Sequence, residues 1–130
     1  ELAQLTFKAG ADIIVGGHPH VLQPMMYVNK PDGKKSFIMY SMGNFISNQR
    51  KDYKDISIIL NIKLKKDLRA NTTLIDSVGY IPLYVYKGFT EAGNQYIVVP
   101  LNETFEEPYL KRLQEDFEVY KNQIKSIVKF

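Results

Sequence analysis

Both histidines of the 130-residue chain, His18 and His20, stand in the stretch ADIIVGGHPHVLQP (residues 11–24), with Pro19 between them. Neutral imidazole is the commonest metal ligand near neutral pH. Pro19 favours an extended backbone at His18, and residues two apart on an extended backbone point to the same side. Their Cα atoms would then lie about 6.5–7 Å apart. The pair could hold one metal, or one each of two metals spaced about 3.5–4 Å apart. The plainer reading is two loop histidines without a ligand. An apolar run followed by Gly16 and Gly17 gives the metal reading its support. A glycine pair lets the backbone bend and approach a ligand, and sites in α/β folds lie beyond the carboxyl ends of strands. On the residues alone both readings stay open.

The ligand count sets a limit. A hydrolytic metal site takes at least three protein ligands for one metal, and a binuclear site takes more. The chain has 14 acids, but none forms a second compact motif such as D-x-H, G-D-x-x-D or N-H-E. Asp12 sits at the far end of the run that leads to the histidines. No complete catalytic set is therefore present. Cysteine is absent, which excludes disulfides, thiolate metal sites and cysteine nucleophiles.

The elements that must carry this loop can be read from periodicity. Leu2, Leu5 and Phe7 fit the last turns of a helix closed at Gly10. DIIVGG is a short β-branched run and predicts a fully buried strand at 12–16. KPDGK is a turn signal between two apolar runs, so a hairpin is expected with strands near 25–29 and 35–41. SMGNF then turns the chain. DISIILNIKLKK puts Ile56, Ile58, Leu60, Ile62 and Leu64 on one strand face and Ser57, Asn61, Lys63 and Lys65 on the other, with Ile59 as the exception. NTTLIDSVGYIPLYVYKG is a second long strand, in which Gly79 and Pro82 suggest a bulge or an edge position. NQYIVVPLN is a third, and the three predict an antiparallel sheet. Leu110, Leu113, Phe117, Tyr120, Ile124 and Ile127 then recur at helical spacing, predicting an amphipathic helix that packs on its own sheet. Thr104 and Glu107 can form a capping box before it. Without repeats, linkers or low-complexity tracts, residues 1–130 read as a single α/β (α+β) unit.

Hydrophobic residues make up 45% and charged residues 24%, ordinary values for a globular domain with a core. The net charge of +3 comes from lysines scattered among acids, as in KDYKD and KLKKD. They form no basic stripe, which argues against a nucleic-acid partner. No window reaches the roughly 18 apolar residues of a transmembrane helix, and no signal peptide is visible. The chain opens on Glu1 inside a helix-like pattern and so reads as a piece of a longer protein. Such a piece should expose an apolar patch or an unpaired strand edge, or associate with a second copy of itself.

AGADIIVGGHPHVLQP followed by FIMYSMGNFI resembles the C-terminal part of the bacterial capsule-synthesis proteins of the CapA type, linked to poly-γ-glutamate capsules and to the calcineurin-like metallophosphoesterase superfamily. The pattern G-A-D-x-V-x-G-x-H-P-H-V-x-Q is matched at Gly10, Ala11, Asp12, Gly16, His18, Pro19, His20, Val21 and Gln23. The pattern Y-S-L-G-N-F is matched at Tyr40, Ser41, Gly43, Asn44 and Phe45, and VGYIPLYVY resembles a later family strand. The resemblance implies the C-terminal half of a four-layer αββα sandwich, with a mostly antiparallel sheet and a C-terminal amphipathic helix. It makes His18 and His20 ligands of two divalent ions (Mn, Zn or Fe), the other ligands coming from a missing N-terminal part of the same domain. It places Asn44, Ser41 and Gln23 as candidates for the cleft; on the residues alone GNF could equally be a turn, and Phe45 is expected in the core. Met25 or Met26 stands where the family often has Glu, and Met42 replaces a leucine. The resemblance implies either a metal-dependent phosphoester-type hydrolase, inactive as this piece, or a non-catalytic component of capsule polymer assembly or export. In both cases the expected setting is the cell surface, and the expected partners are an acidic capsule polymer and membrane capsule-synthesis proteins.

Overall fold

The computed structural model describes residues 1–31 and 33–129. Helix α1 (Leu2–Lys8) ends before Gly10, whose φ of +109° suits glycine. Strand β1 (Ile13–Val15) follows, then the hairpin β2 (Met25–Asn29) and β3 (Lys35–Met39). The hairpin turn is closed by Lys30 N–H to Lys34 O and Gly33 N–H to Lys30 O; Asp32 of the expected turn lies outside the described residues. These strands form one sheet in the order β1-β3-β2, with β1 parallel to β3 and β2 antiparallel to it. Alternation gives the sheet two faces. Ile14 and Ile38 share a cleft with Leu2 and Thr6 of α1, while Met25, Phe37 and Met39 are buried in the main core.

β1 is not the fully buried strand expected from its sequence. Ile13 and Ile14 are half-buried and Val15 is 47% exposed. The reason is position: among the described residues β1 pairs with β3 alone and its other edge is open. Leu2 and Leu5 of α1 are also exposed, so an apolar surface and an unpaired edge occur at this end of the chain.

The second sheet runs β4-β5-β6, built from β4 (Ile56–Asp67), β5 (Thr72–Thr90) and β6 (Gly93–Pro100), all antiparallel. β5 lies between β4 and β6, but at Gly79 and Pro82 it pairs with β4 alone, so both stand at a local edge, and neither marks the bulge. The register instead slips between Lys63 and Leu64, which face Ser77 and Ile75 and leave Asp76 as the extra residue. Beyond the slip Leu64 is exposed, and the apolar stripe of β4 stops at Ile62. Pro82 is tolerated because of where it falls. Val85 N–H bonds to Asp55 O on the β4 side, so alternate residues such as Pro82 turn their nitrogen toward β6. The β6 ladder ends at Leu83–Pro100, and beyond it Leu101 N–H reaches Pro82 O without needing a return donor.

The C-terminal helix is interrupted. It comprises α2 (Pro108–Leu113), a 3₁₀ turn at Gln114–Asp116, and α3 (Phe117–Val128). The expected capping box does not form: the helix starts at Pro108, with Glu107 as an N-cap that makes no side-chain bond. Proline at the first helical position suits that start, since its missing N–H would have had no partner there. The loop before it is held by Gln114, which donates to Phe105 O (3.0 Å) and accepts from Phe105 N–H (3.1 Å). Leu110, Phe117, Ile124 and Val128 enter the same core as Met25, Phe37, Met39, Ile56, Ile58 and Val99, and Tyr120 stacks on Tyr84 of β5 at 4.6 Å. The class is α+β, mostly antiparallel with a C-terminal helix, as the sequence implies.

Candidate functional site

The histidine loop leaves β1 at Gly16. Gly16 N–H bonds to Met39 O (2.8 Å), and Met42 N–H bonds to Gly16 O (3.2 Å). A Cβ at Gly16 would stand 2.1 Å from Tyr40 O, whereas one at Gly17 would meet nothing within 4 Å. Only the first glycine is demanded by packing. His20 N–H then bonds back to Gly17 O (3.3 Å), and His20 takes φ +61°. The segment is therefore a tight turn, not the extended run expected from Pro19. The chain has to reverse after β1 so that Leu22 can bridge Met42 and continue into β2. The two rings stay neighbours nonetheless, with centroids 6.4 Å apart and planes 46° apart, and both residues are exposed.

The β2–β3 ladder carries its register into this loop. Met25 faces Met39, Gln23 N–H bonds to Ser41 O (3.0 Å), and Leu22 bridges Met42. Two steps further in the same register, His20 Nδ1 lies 2.8 Å from Asn44 Oδ1. Asn44 is 8% exposed, and its Nδ2 donates to Lys54 O (3.1 Å) and Gln49 Oε1 (3.2 Å). Gly43, at φ +74° with Ile56 O 2.8 Å from a would-be Cβ, makes the close approach to β4 that aims Asn44 inward.

The remaining cleft candidates sit differently. Ser41 is fully buried and its hydroxyl accepts Gly43 N–H (3.3 Å), a turn-forming role. Gln23 is half-buried and joins Ser41 through the backbone. Phe45 is 59% exposed, not in the core. The turn at Gly43–Asn44 gives the inward position to the asparagine amide, and Phe45 emerges on the surface near Ile46. Met25 is buried in the core and Met26 is exposed. The sequence reading missed Gln49 and Lys54, which hold Asn44. Lys51, Asp52 and Tyr53 have φ of +66°, +51° and +62°, and Lys54 N–H closes this left-handed turn on Lys51 O (3.1 Å). Left-handed geometry costs roughly 1–2 kcal/mol per L-residue, and no glycine or asparagine announces it. The extended hairpin register was the available signal for the contact between residues 20 and 44.

Chemically the arrangement offers two adjacent imidazoles, one anchored through its Nδ1. Anchoring of the second ring nitrogen is typical of metal-ligating histidine, so the donor set fits part of a site for a divalent ion. Among the described residues no cluster of three or more His, Cys, Asp or Glu could hold a metal alone. Asp12 is engaged elsewhere: a hydrogen bond from Lys30 holds its carboxyl below the usual range.

Residues 1–49, which contain the histidine loop and the Asn44 turn, match the family model of the bacterial capsule synthesis protein PGA_cap. The chain carries a CapA-type capsule-synthesis sequence. It is similar to the PGA biosynthesis protein CapA of Bacillus subtilis (strain 168), 42% identical over 67 residues, which is 52% of this chain and 16% of that protein. It is also similar to the capsule biosynthesis protein CapA of Bacillus anthracis, 40% identical over 88 residues, 67% of this chain and 18% of that protein. The CapA-type chain thus spans under a fifth of the length of these relatives. No solved structure matches it significantly. Among the described residues no helix is long and apolar enough to cross a membrane.

Proposed function

We propose that this chain is part of a CapA-type protein of poly-γ-glutamate capsule biosynthesis, and that it contributes His18 and His20 to a divalent metal site of metallophosphoesterase type. The observation that carries this reading is the Asn44-anchored His20 beside His18, inside the segment matched by the capsule-synthesis family. In the whole protein, an αββα sandwich would be completed by the N-terminal part, which would supply the missing ligands and cover the open edge of β1. A divalent ion bound there would polarise a phosphoryl or acyl oxygen and activate water. This chain's share is to present two imidazoles from one tight turn and to keep that of His20 oriented through the continued β2–β3 register. Mn, Zn and Fe all suit imidazole.

A second reading has its own support. Tyr40, Phe45, Ile46 and Tyr53, which lie close in sequence to Asn44 and its Lys54 partner, are all exposed. Such a surface suits a non-catalytic assembly or export component at the cell surface, working with acidic polymer and membrane partners. Titration calorimetry of the 130-residue chain with Zn²⁺ and Mn²⁺ tests the first reading. Weak binding is expected in the wild type and none in the His18→Ala/His20→Ala variant. Binding that survives the double substitution would defeat the site assignment, and absence of binding in the wild type would favour the second reading.

A further inference from the structure

We propose that Asn44 is a positioning residue that fixes His20 in its Nδ1–H tautomer and leaves the Nε2 lone pair free to bind a metal ion. Lys54 O is a backbone carbonyl and can only accept a hydrogen bond. The Asn44 atom 3.1 Å from it is therefore the amide nitrogen. Gln49 Oε1 lies 3.2 Å from the same nitrogen, and the Gln49 amide is free to turn its oxygen there, so the backbone carbonyl decides the orientation. With both N–H groups of the amide directed there, Asn44 Oδ1 is the atom that faces His20 Nδ1 at 2.8 Å. An amide oxygen cannot donate, so the proton between them belongs to the imidazole. A neutral imidazole has one N–H and one lone pair, and the lone pair of His20 is thereby assigned to Nε2, on an exposed ring.

The lock is built at a cost, which separates it from an incidental surface contact. Asn44 is buried, and the carbonyl that orients its amide follows three consecutive left-handed residues, Lys51, Asp52 and Tyr53. Strain of that kind persists only where the surrounding structure over-determines it. The contact also lies in the continued register of the β2–β3 ladder, so the whole hairpin holds the two partners at the same level. His18 has no corresponding anchor among the described hydrogen bonds and serves as an internal reference.

The tautomer assignment stands independently of the metal reading; the statement about Nε2 as a ligand rests on it. Long-range ¹H–¹⁵N spectra of the imidazoles, recorded on the ¹⁵N-labelled 130-residue chain at mildly alkaline pH, test both. His20 is expected as a single Nδ1–H tautomer, with His18 as an exchanging mixture. In Asn44→Leu, which removes the acceptor, His20 should join the mixture and zinc affinity should fall about 10–100-fold. In Asn44→Asp the carboxylate still accepts from Nδ1–H but cannot donate to Lys54 O. That variant should lose stability yet keep the tautomer, an outcome a merely structural asparagine would not produce. A proton on Nε2 of His20 in the wild type would overturn the proposal without any variant having to fold, and so would an unchanged Nδ1–H signal in Asn44→Leu. If the spectra agree and zinc does not bind the wild type, the metal reading fails while the tautomer lock remains.

Discussion

Substituting Gly16 by alanine separates the two glycines that precede the histidines. The new Cβ would lie 2.1 Å from Tyr40 O, and a carbon–oxygen contact relaxes only near about 3.3 Å. The ends of β1 and β3 must therefore part by about 1 Å. Two backbone hydrogen bonds span that junction, Gly16 N–H to Met39 O and Met42 N–H to Gly16 O. Each contributes about 1 kcal/mol net, and overpacking adds at least about 1 kcal/mol. The expected loss is about 3 kcal/mol. With a urea slope of about 1.5 kcal/mol/M, typical for a small protein, the unfolding midpoint should fall by about 2 M. Gly17→Ala is the control, because its Cβ enters open space. It should be neutral or slightly stabilising, by up to about 1 kcal/mol, through a less flexible unfolded chain. Urea unfolding followed by circular dichroism reads both variants. A Gly16→Ala midpoint equal to the wild type, or a Gly17→Ala midpoint that drops as far, would refute the close-approach argument.

Two further outcomes follow from the core. Burial, helped by Tyr120 and Asp55, pushes the Tyr84 hydroxyl up to about 12 from its ordinary 10. The folded value exceeds the unfolded one, so this contribution is present below about pH 10 and is lost as pH rises toward 12. At about 1.4 kcal/mol per unit the full shift would be about 2.7 kcal/mol, and solvent screening at this half-buried hydroxyl reduces it to about 1–2 kcal/mol. Unfolding midpoints across that range should decline in the wild type and decline less in Tyr84→Phe; parallel declines would refute the assignment. Ile124→Ala, at a fully buried position of α3, should cost about 2–5 kcal/mol, and Val119→Ala on the exposed face of the same helix under about 0.5 kcal/mol. Equal losses in thermal or urea unfolding would contradict the placement of α3 on the sheet.

What could be read from the sequence was what repeats along the chain. Alternation at residues 56–62 and helical spacing from Leu110 to Ile127 reflect a single solvent boundary, and both mark real elements. The errors lie where burial depends on a distant neighbour. The β-branched run Ile13–Val15 is a strand, but nothing in the run reports what covers it, and its outer edge is open. Phe45 looks like core until the asparagine before it takes the inward position. The left-handed turn at Lys51–Tyr53 carries only the weak signal of Asp52, because lysine and tyrosine adopt that conformation only under tertiary constraint.

The histidine loop and the Asn44 turn look like two motifs in the sequence, yet in the structure they are one. The hairpin between them has a fixed register, and every pair from Asn29–Lys35 to Leu22–Met42 keeps to it. Continued past its last bridge, that register puts His20 opposite Asn44. The separation of the two motifs is thus the length of a ladder, and a one-residue slip would turn every side chain of the second motif to the other face. Gly16 closes the same junction from the β1 side, since Met42 N–H reaches its carbonyl. The residue that accepts the strand crossover, the bridge that ends the ladder and the amide that anchors the imidazole are three parts of one backbone junction. For this reason the asparagine, and not the buried serine three residues before it, is the partner of the histidine pair.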